Sequence, residues 1–188
     1  MKTAEIETIA RDLRKAGDSL SEQPLSQIID VLDRLATILL NPNHSLRQEA
    51  ESELAKLSSK EMAQFVINDL FYKLTKPILT SLLKEELKDP LILDTPRPKQ
   101  HGVGYTRAYG PRLITHILPG NIPGIAVESL VFALLAKSAS LAKISSKAPA
   151  LPSLFIQALQ EVDKRRDDAC WGNAPCRHND ACGLAHSS

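Results

Sequence analysis

Two short stretches hold residues that could do chemistry together. The first, residues 118–124, reads "LPGNIPG", with two prolines, two glycines and an Asn between strongly apolar runs. Gly120 and Gly124 would let the backbone turn tightly and admit a ligand with no Cβ in the way. Asn121, between Pro119-Gly120 and Ile122, offers an amide that can donate to a carbonyl oxygen or to the oxyanion formed from it. The second stretch is "KISS", where the ammonium of Lys143 stands beside the hydroxyls of Ser145 and Ser146. A cation with two hydroxyls suits a sugar hydroxyl or a phosphate. On these residues alone, a Gly/Pro turn with solvated polar side chains is the simpler reading. A third group, Cys170, Cys176, His178, Cys182 and His186, could offer soft metal ligands. Its spacings fit no paired Cys-x2-Cys or His-x3–5-His arrangement, so no metal site is expected.

The elements around the first two stretches follow from periodicity. Residues 112–118, "RLITHIL", form a β-rich run, and 125–137, "IAVESLVFALLAK", are apolar nearly all round, as in a buried crossover helix. Residues 139–145 read as a second short strand. Pro149 and Pro152 mark the entry to a further helix over 153–164, with Leu154, Ala158 and Leu159 inward. Strand, helix, strand, helix is a βαβα unit, which implies parallel strands with a right-handed crossover. "LPGNIPG" then lies at the carboxyl end of a parallel strand and the amino end of the next helix. Ligands bind there in open α/β sheets, because helix N–H groups and the helix dipole converge.

Before this unit the pattern is helical. Ile6, Ile9 and Leu13 share a face that Gly17 is expected to end; Ile28, Leu32, Leu35 and Leu39 share another between Pro24 and the stop Asn41-Pro42-Asn43. Ser45-Leu46-Arg47-Gln48 and Ser58-Ser59-Lys60-Glu61 read as capping boxes. They open helices with Leu46, Ala50, Leu54 and Leu57 inward in one, and Met62, Val66, Leu70 and Leu74 in the other. Pro77 restarts the chain before Ile78, Leu82 and Leu83. These stripes read as an internal core. Residues 94–110, rich in Pro, Gly and basic side chains, read as an irregular connection. Its Gly102-Val103-Gly104 has neither the preceding strand nor the third glycine of a dinucleotide fingerprint.

Residues 111–159 resemble the first part of the cofactor-binding domain of the aldehyde dehydrogenase superfamily. More narrowly, they are similar to the acyl-CoA reductase family that includes the fatty-acid reductase subunit of bacterial luminescence systems. The resemblance rests on the turn Pro119-Gly120-Asn121-Ile122-Pro123, the small-residue-rich helix after it, and the strand ending Lys143-Ile144-Ser145-Ser146, in that order and spacing. It implies NADPH-dependent reduction of a long-chain acyl-CoA, or acyl thioester, to the aldehyde through a thioester on an active-site Cys. Asn121 then corresponds to the superfamily's oxyanion-hole Asn, and Lys143 to the Lys that contacts the adenosine ribose. Pro119, Gly120 and Ser145 belong to the cofactor-binding set. Ser146 falls where many NAD-preferring relatives place a Glu; a neutral Ser removes repulsion against a 2′-phosphate. The family's catalytic Cys lies beyond residue 188, and none of Cys170, Cys176 or Cys182 takes its place. An N-terminal fragment without turnover of its own is therefore expected.

The expected fold class is α/β: an N-terminal helical region over 1–90, then a partial Rossmann-like βαβα unit of the aldehyde dehydrogenase-like fold over 91–165. Residues 166–188 read as an unstructured tail, of the kind an out-of-frame translation produces. At 188 residues with 43% hydrophobic and 24% charged side chains, the chain can bury a real core. A net charge of +1 and 4% aromatics argue against a nucleic-acid partner. The first seven residues are polar, and the longest apolar run contains Glu128 and is too short for a bilayer, so a cytoplasmic protein without a membrane span is expected. A βαβα piece alone leaves edges uncovered, which favours a homo- or hetero-oligomer. Two other readings stay open on the sequence: a non-catalytic helical interaction protein with an α/β remnant, and a related reductase acting on a phosphorylated substrate.

Overall fold

Helix α2, Leu25–Leu40, is apolar over far more than one stripe, and the fold is assembled around it. A computed structural model describes residues 3–99, 101–118, 123–144, 151–164 and 182–186. Ile28, Val31, Leu32, Leu35, Ala36 and Leu39 of α2 are buried against α3 (Ser45–Ala55), α4 (Lys60–Tyr72), α5 (Lys76–Leu87), α6 (Pro123–Leu135) and α7 (Leu151–Lys164). Each of these Ile, Val and Leu side chains contributes about 1.5–3 kcal/mol on burial. The core runs without a break from Leu20, Leu32 and Phe71 of the helical part to Leu130 and Phe155 of the α/β part.

The helical half follows the expected stripes with four local corrections. Helix α1, Thr3–Glu22, passes straight through Gly17 instead of ending there. A Cβ built on Gly17 would lie 2.1 Å from the Arg112 carbonyl oxygen and 3.4 Å from the Ala139 Cβ. The glycine is a contact point where the helix touches the sheet, not a stop. In α3 the cap is His44, whose Nδ1 accepts from the Leu46 N–H at 3.3 Å, so Ser45 is already helical and its capping box does not form. In α4 the cap is Ser59, accepting from the Met62 N–H at 3.2 Å, while the Ser58 hydroxyl donates to the Leu54 carbonyl at 3.1 Å. The inward stripe shifts with it to Ala63, Ile67, Leu70, Phe71 and Leu74, leaving Met62 and Leu57 exposed. Phe71 is fully buried in this phase, while Phe65 and Tyr72 of the same helix stay exposed. In α5, Leu79 and Leu83 point inward instead of Ile78 and Leu82.

Two buried cations knit these helices. The Arg47 guanidinium donates to Glu51 Oε1 at 2.6 Å, to the Leu39 carbonyl at 2.9 Å and to Asn68 Oδ1 at 2.8 Å, joining α2, α3 and α4. The Lys137 ammonium donates to Asp94 at 2.5 Å, and the same carboxylate accepts the Leu25 N–H at 3.0 Å, satisfying the start of α2. Lys137 sits at φ 57 in the turn that ends α6, where Ser138 N–H reaches the Ala133 carbonyl at 2.9 Å.

Residues 94–110, expected to be irregular, hold a small hairpin: β1, Arg97–Pro98, pairs antiparallel with β2, Tyr105–Thr106. Gly102 and Gly104, both at positive φ, shape its tip. The main sheet follows. Strand β3, Leu113–Leu118, runs parallel to β4, Ala139–Ile144, in register from Leu113↔Ala139 to Leu118↔Ile144, with α6 connecting them. This is the βαβα unit expected from the sequence. Within the tail read as unstructured, Cys182–His186 forms β5, which adds parallel to the other edge of β4. A short apolar run can extend an open strand edge through backbone hydrogen bonds alone.

Candidate functional site

Strand alternation separates the two faces of the β3–β4 pair. Ile114, His116, Leu118, Ser140, Ala142 and Ile144 point to the face that α6 covers. Leu113, Thr115, Ile117, Ala139, Leu141 and Lys143 point to the other, where α1 crosses the amino ends of the strands at Gly17. The Arg112–Asp18 ion pair, whose Nε–Oδ1 contact is 2.6 Å, pins that crossing. Toward the carboxyl ends the α1 side opens: Ile117 is 81% exposed, and Lys143, its register partner on β4, is exposed beside it. The structure thus brings an exposed ammonium and an exposed aliphatic side chain together at the end of two parallel strands.

Of the residues predicted to form the site, only Lys143 and the Gly124 position fall among those described. Pro119, Gly120, Asn121, Ser145 and Ser146 lie outside the described residues, as do Cys170, Cys176 and His178. Gly124 corrects the sequence reading. It is helical, within α6, and a Cβ there would meet Leu70 Cδ1 at 3.8 Å, an ordinary contact, so among the described residues neither turning nor crowding requires a glycine. Among the described residues no group of three or more His, Cys, Asp or Glu side chains could hold a metal ion. No described helix is long and apolar enough to cross a membrane.

Beneath the corner lies a polar group that periodicity did not reveal. His116 is 7% exposed, and its two ring nitrogens contact hydroxyls on two other elements. Nδ1 is 2.8 Å from Ser129 Oγ of α6, and Nε2 is 3.1 Å from Ser140 Oγ of β4. Burial holds the imidazole below its ordinary pKa, favouring the neutral form, which can donate through one nitrogen and accept through the other. The only signal in the sequence is its phase: His116 alternates with Ile114 and Leu118 on the buried side of its strand. Helix α6 itself exposes two large apolar residues, Ile125 at 43% and Phe132 at 55%, while Ala126 and Ala133 beside them are buried. Burying an Ile or a Phe is worth about 1.5–3 kcal/mol. Leaving a buried imidazole or hydroxyl without its partner costs about 1–3 kcal/mol.

Comparison with known proteins now bears on this geometry. The profile of the family described as acyl-CoA reductase (LuxC) matches residues 20–169, spanning α2 to α7 and the β3–β4 pair. The chain belongs to that family. This LuxC-family chain is 30% identical over 146 residues to the long-chain acyl-protein thioester reductase of Photorhabdus luminescens, a match that covers 76% of this chain and 30% of the relative. The chain therefore spans under a third of that relative's length. Its fold is similar to the crystal structure of glyceraldehyde-3-phosphate dehydrogenase GapN from Methanocaldococcus jannaschii complexed with NADP. The TM-score is 0.73 at 16% identity, covering 100% of this chain and 37% of the dehydrogenase. At that identity the likeness speaks to fold: a mostly helical α/β arrangement with a partial Rossmann-like unit. Helices α2 to α5, outside the stretch that carried the resemblance in the sequence, are part of the family match, whereas all but the last three residues of α1 precede it.

Proposed function

We propose that this chain is the cofactor-binding portion of an oxidoreductase that reduces a long-chain acyl-CoA, or an acyl thioester carried on a protein, to the fatty aldehyde with NADPH. The observation that carries the reading is the open strand-end corner, where Lys143 stands exposed beside Ile117 at the carboxyl edge of a parallel pair. Family membership and the thioester reductase of Photorhabdus luminescens support the substrate class.

In this reading each residue of the corner has a task. The Lys143 ammonium hydrogen-bonds the adenosine ribose of the cofactor, and Ile117 offers an apolar surface next to it. Pro119, Gly120 and Ser145, next in sequence to the last residues of β3 and β4, belong to the same cofactor-binding set. Ser146, uncharged, leaves room for the 2′-phosphate that a carboxylate would repel. Asn121 donates its amide to the thioester carbonyl as that oxygen gains negative charge, which lowers the barrier to attack. A cysteine thiolate displaces the thiol of the incoming thioester and holds the acyl group as a new thioester. Bound NADPH supplies the hydride that releases it as aldehyde. That cysteine is assigned to the part of the relatives' length that this chain does not span, so the 188 residues bind cofactor without turnover.

Two measurements test this. A fluorescence titration of the chain is expected to show tighter binding of NADPH than of NADH; the reverse order overturns the assignment of Ser146. Aldehyde formation from a long-chain acyl-CoA by these 188 residues alone would contradict the placement of the nucleophile elsewhere.

A further inference from the structure

The strands of the main sheet lie in the order β3-β4-β5, and all run parallel. Helix α6 leads from β3 to β4, α7 lies between β4 and β5 in the chain, and the two helices pack against each other. Sequential parallel strands with a helix in each connection make a βαβαβ unit, the half of a doubly wound fold that takes one mononucleotide. Its third strand is the unexpected member. Cys182–His186 lies beyond residues 20–169, the stretch that the family profile matches.

Register brings the three carboxyl ends level: Leu118 of β3 pairs with Ile144 of β4, which pairs with His186 of β5. One residue back, Lys143 stands between Ile117 on one side and Ala185 on the other. Strand β5 therefore moves Lys143 from the rim of a two-stranded ribbon to the middle of a row of three strand ends, about 10 Å across at the ordinary strand spacing. Without β5, the unpaired backbone groups of β4 would be open to water beside that ammonium, and solvent would compete for its hydrogen bonds. No described strand pairs with the outer edge of β3. That edge is where a second βαβαβ half would add, and with it the place for the other mononucleotide of a dinucleotide.

We infer that β5 completes a mononucleotide half-site in this chain, which holds the 2′-phosphoadenosine half of the cofactor at the ends of β3, β4 and β5 and makes no use of the nicotinamide half. The choice of a 2′-phosphorylated adenosine rests on the function proposed above; the half-site itself rests on strand order and register.

The test titrates adenosine 2′,5′-bisphosphate, nicotinamide mononucleotide and NADPH into the 188-residue chain by calorimetry. The bisphosphate is expected to bind as tightly as NADPH, and the nicotinamide mononucleotide neither to bind nor to displace NADPH. NADPH binding tighter than the bisphosphate by about tenfold or more, the scale of one further hydrogen bond, would overturn the half-site and leave the cofactor reading standing. Binding of the bisphosphate without NADPH would do the reverse. The part given to β5 is read in the same chain by amide hydrogen exchange: the bisphosphate should slow exchange in 182–186 as well as in 139–144. Protection confined to β4 would overturn that part. Leu184→Pro and Ala185→Pro probe it independently. Successive residues of a strand turn their backbone groups to opposite edges, so one of the two prolines removes an N–H from the β4 side. At least one variant should weaken bisphosphate binding by about tenfold, and unchanged binding in both would contradict the inference. If the proline variants fail to fold, the exchange pattern carries the decision.

Discussion

The two faces of the β3–β4 pair are closed in different ways. Helix α6 covers one face along the strands, with the neutral His116–Ser129–Ser140 contact inside an otherwise apolar interface. Helix α1 covers only the amino ends of the other face, through backbone contact at Gly17, and leaves Ile117 and Lys143 open at the carboxyl ends. Parallel sheets are ordinarily buried on both faces. The carboxyl half of that face is open in this chain, which spans under a third of its relative's length, and the proposed function places the cofactor there.

This contrast can be broken from either side. The largest effect is expected on the α1 side: Gly17→Ala puts a methyl group 2.1 Å from the Arg112 carbonyl oxygen, and α1 must lift from the sheet. A loss of about 3 kcal/mol or more in urea unfolding is expected, at the upper end of overpacking effects. An unchanged midpoint would show that the seam is looser than described. On the α6 side, His116→Leu should cost about 2 kcal/mol at neutral pH, because two hydroxyls lose their partner.

The same histidine predicts a pH dependence of defined sign. Its folded pKa lies below the ordinary imidazole value of 6.5, so the unfolded chain takes up a proton before the folded chain does. The stability it contributes is complete above pH 6.5 and is lost as pH falls from there toward the folded pKa. Unfolding midpoints compared between neutral and mildly acidic buffers should therefore drop more for the unsubstituted protein than for His116→Leu. Equal slopes would show that the imidazole is already protonated or solvated.

The smallest effects sharpen the comparison at the open corner. Gly124→Ala should raise stability by about 0.5–1 kcal/mol, the ordinary gain of alanine over glycine inside a helix, since its Cβ meets nothing closer than 3.8 Å. A marked loss would mean that the first turn of α6 is tighter than described. Ile117→Ala should leave the unfolding midpoint within about 0.5 kcal/mol, because the side chain is already in water.

How much of this could be read from the sequence differs by element. The β3–α6–β4–α7 order was legible because short β-rich runs alternate with longer apolar or amphipathic ones; the register of β3 on β4 was not, since it is set by the packing of the two strands. Helix boundaries were legible only to within a residue: Ser58 and Ser59 read as equally good caps, and the Met62 N–H contact identifies Ser59 as the one used. Gly17 misled because a glycine inside a helix makes sense only once the Arg112 backbone is seen against it. His116, Arg47 and Asp94 were invisible as a matter of distance. Their partners, on α6 and β4, on α2, α3 and α4, and at Leu25 and Lys137, come together only in the fold. At the site, Lys143 was legible from its place at a strand end. Ile117 was not, because exposure of an aliphatic residue in the middle of a β-rich run depends on how far α1 reaches.

The most direct test of the account is NADPH titration of Lys143→Ala beside the unsubstituted chain, with Lys56→Ala, an exposed lysine of the α3–α4 turn, as control. Losing a charge-assisted hydrogen bond to the cofactor should weaken binding by about tenfold or more, while Lys56→Ala leaves it unchanged. Equal affinity for NADPH in all three proteins would contradict the claim that the open strand-end corner is the cofactor site.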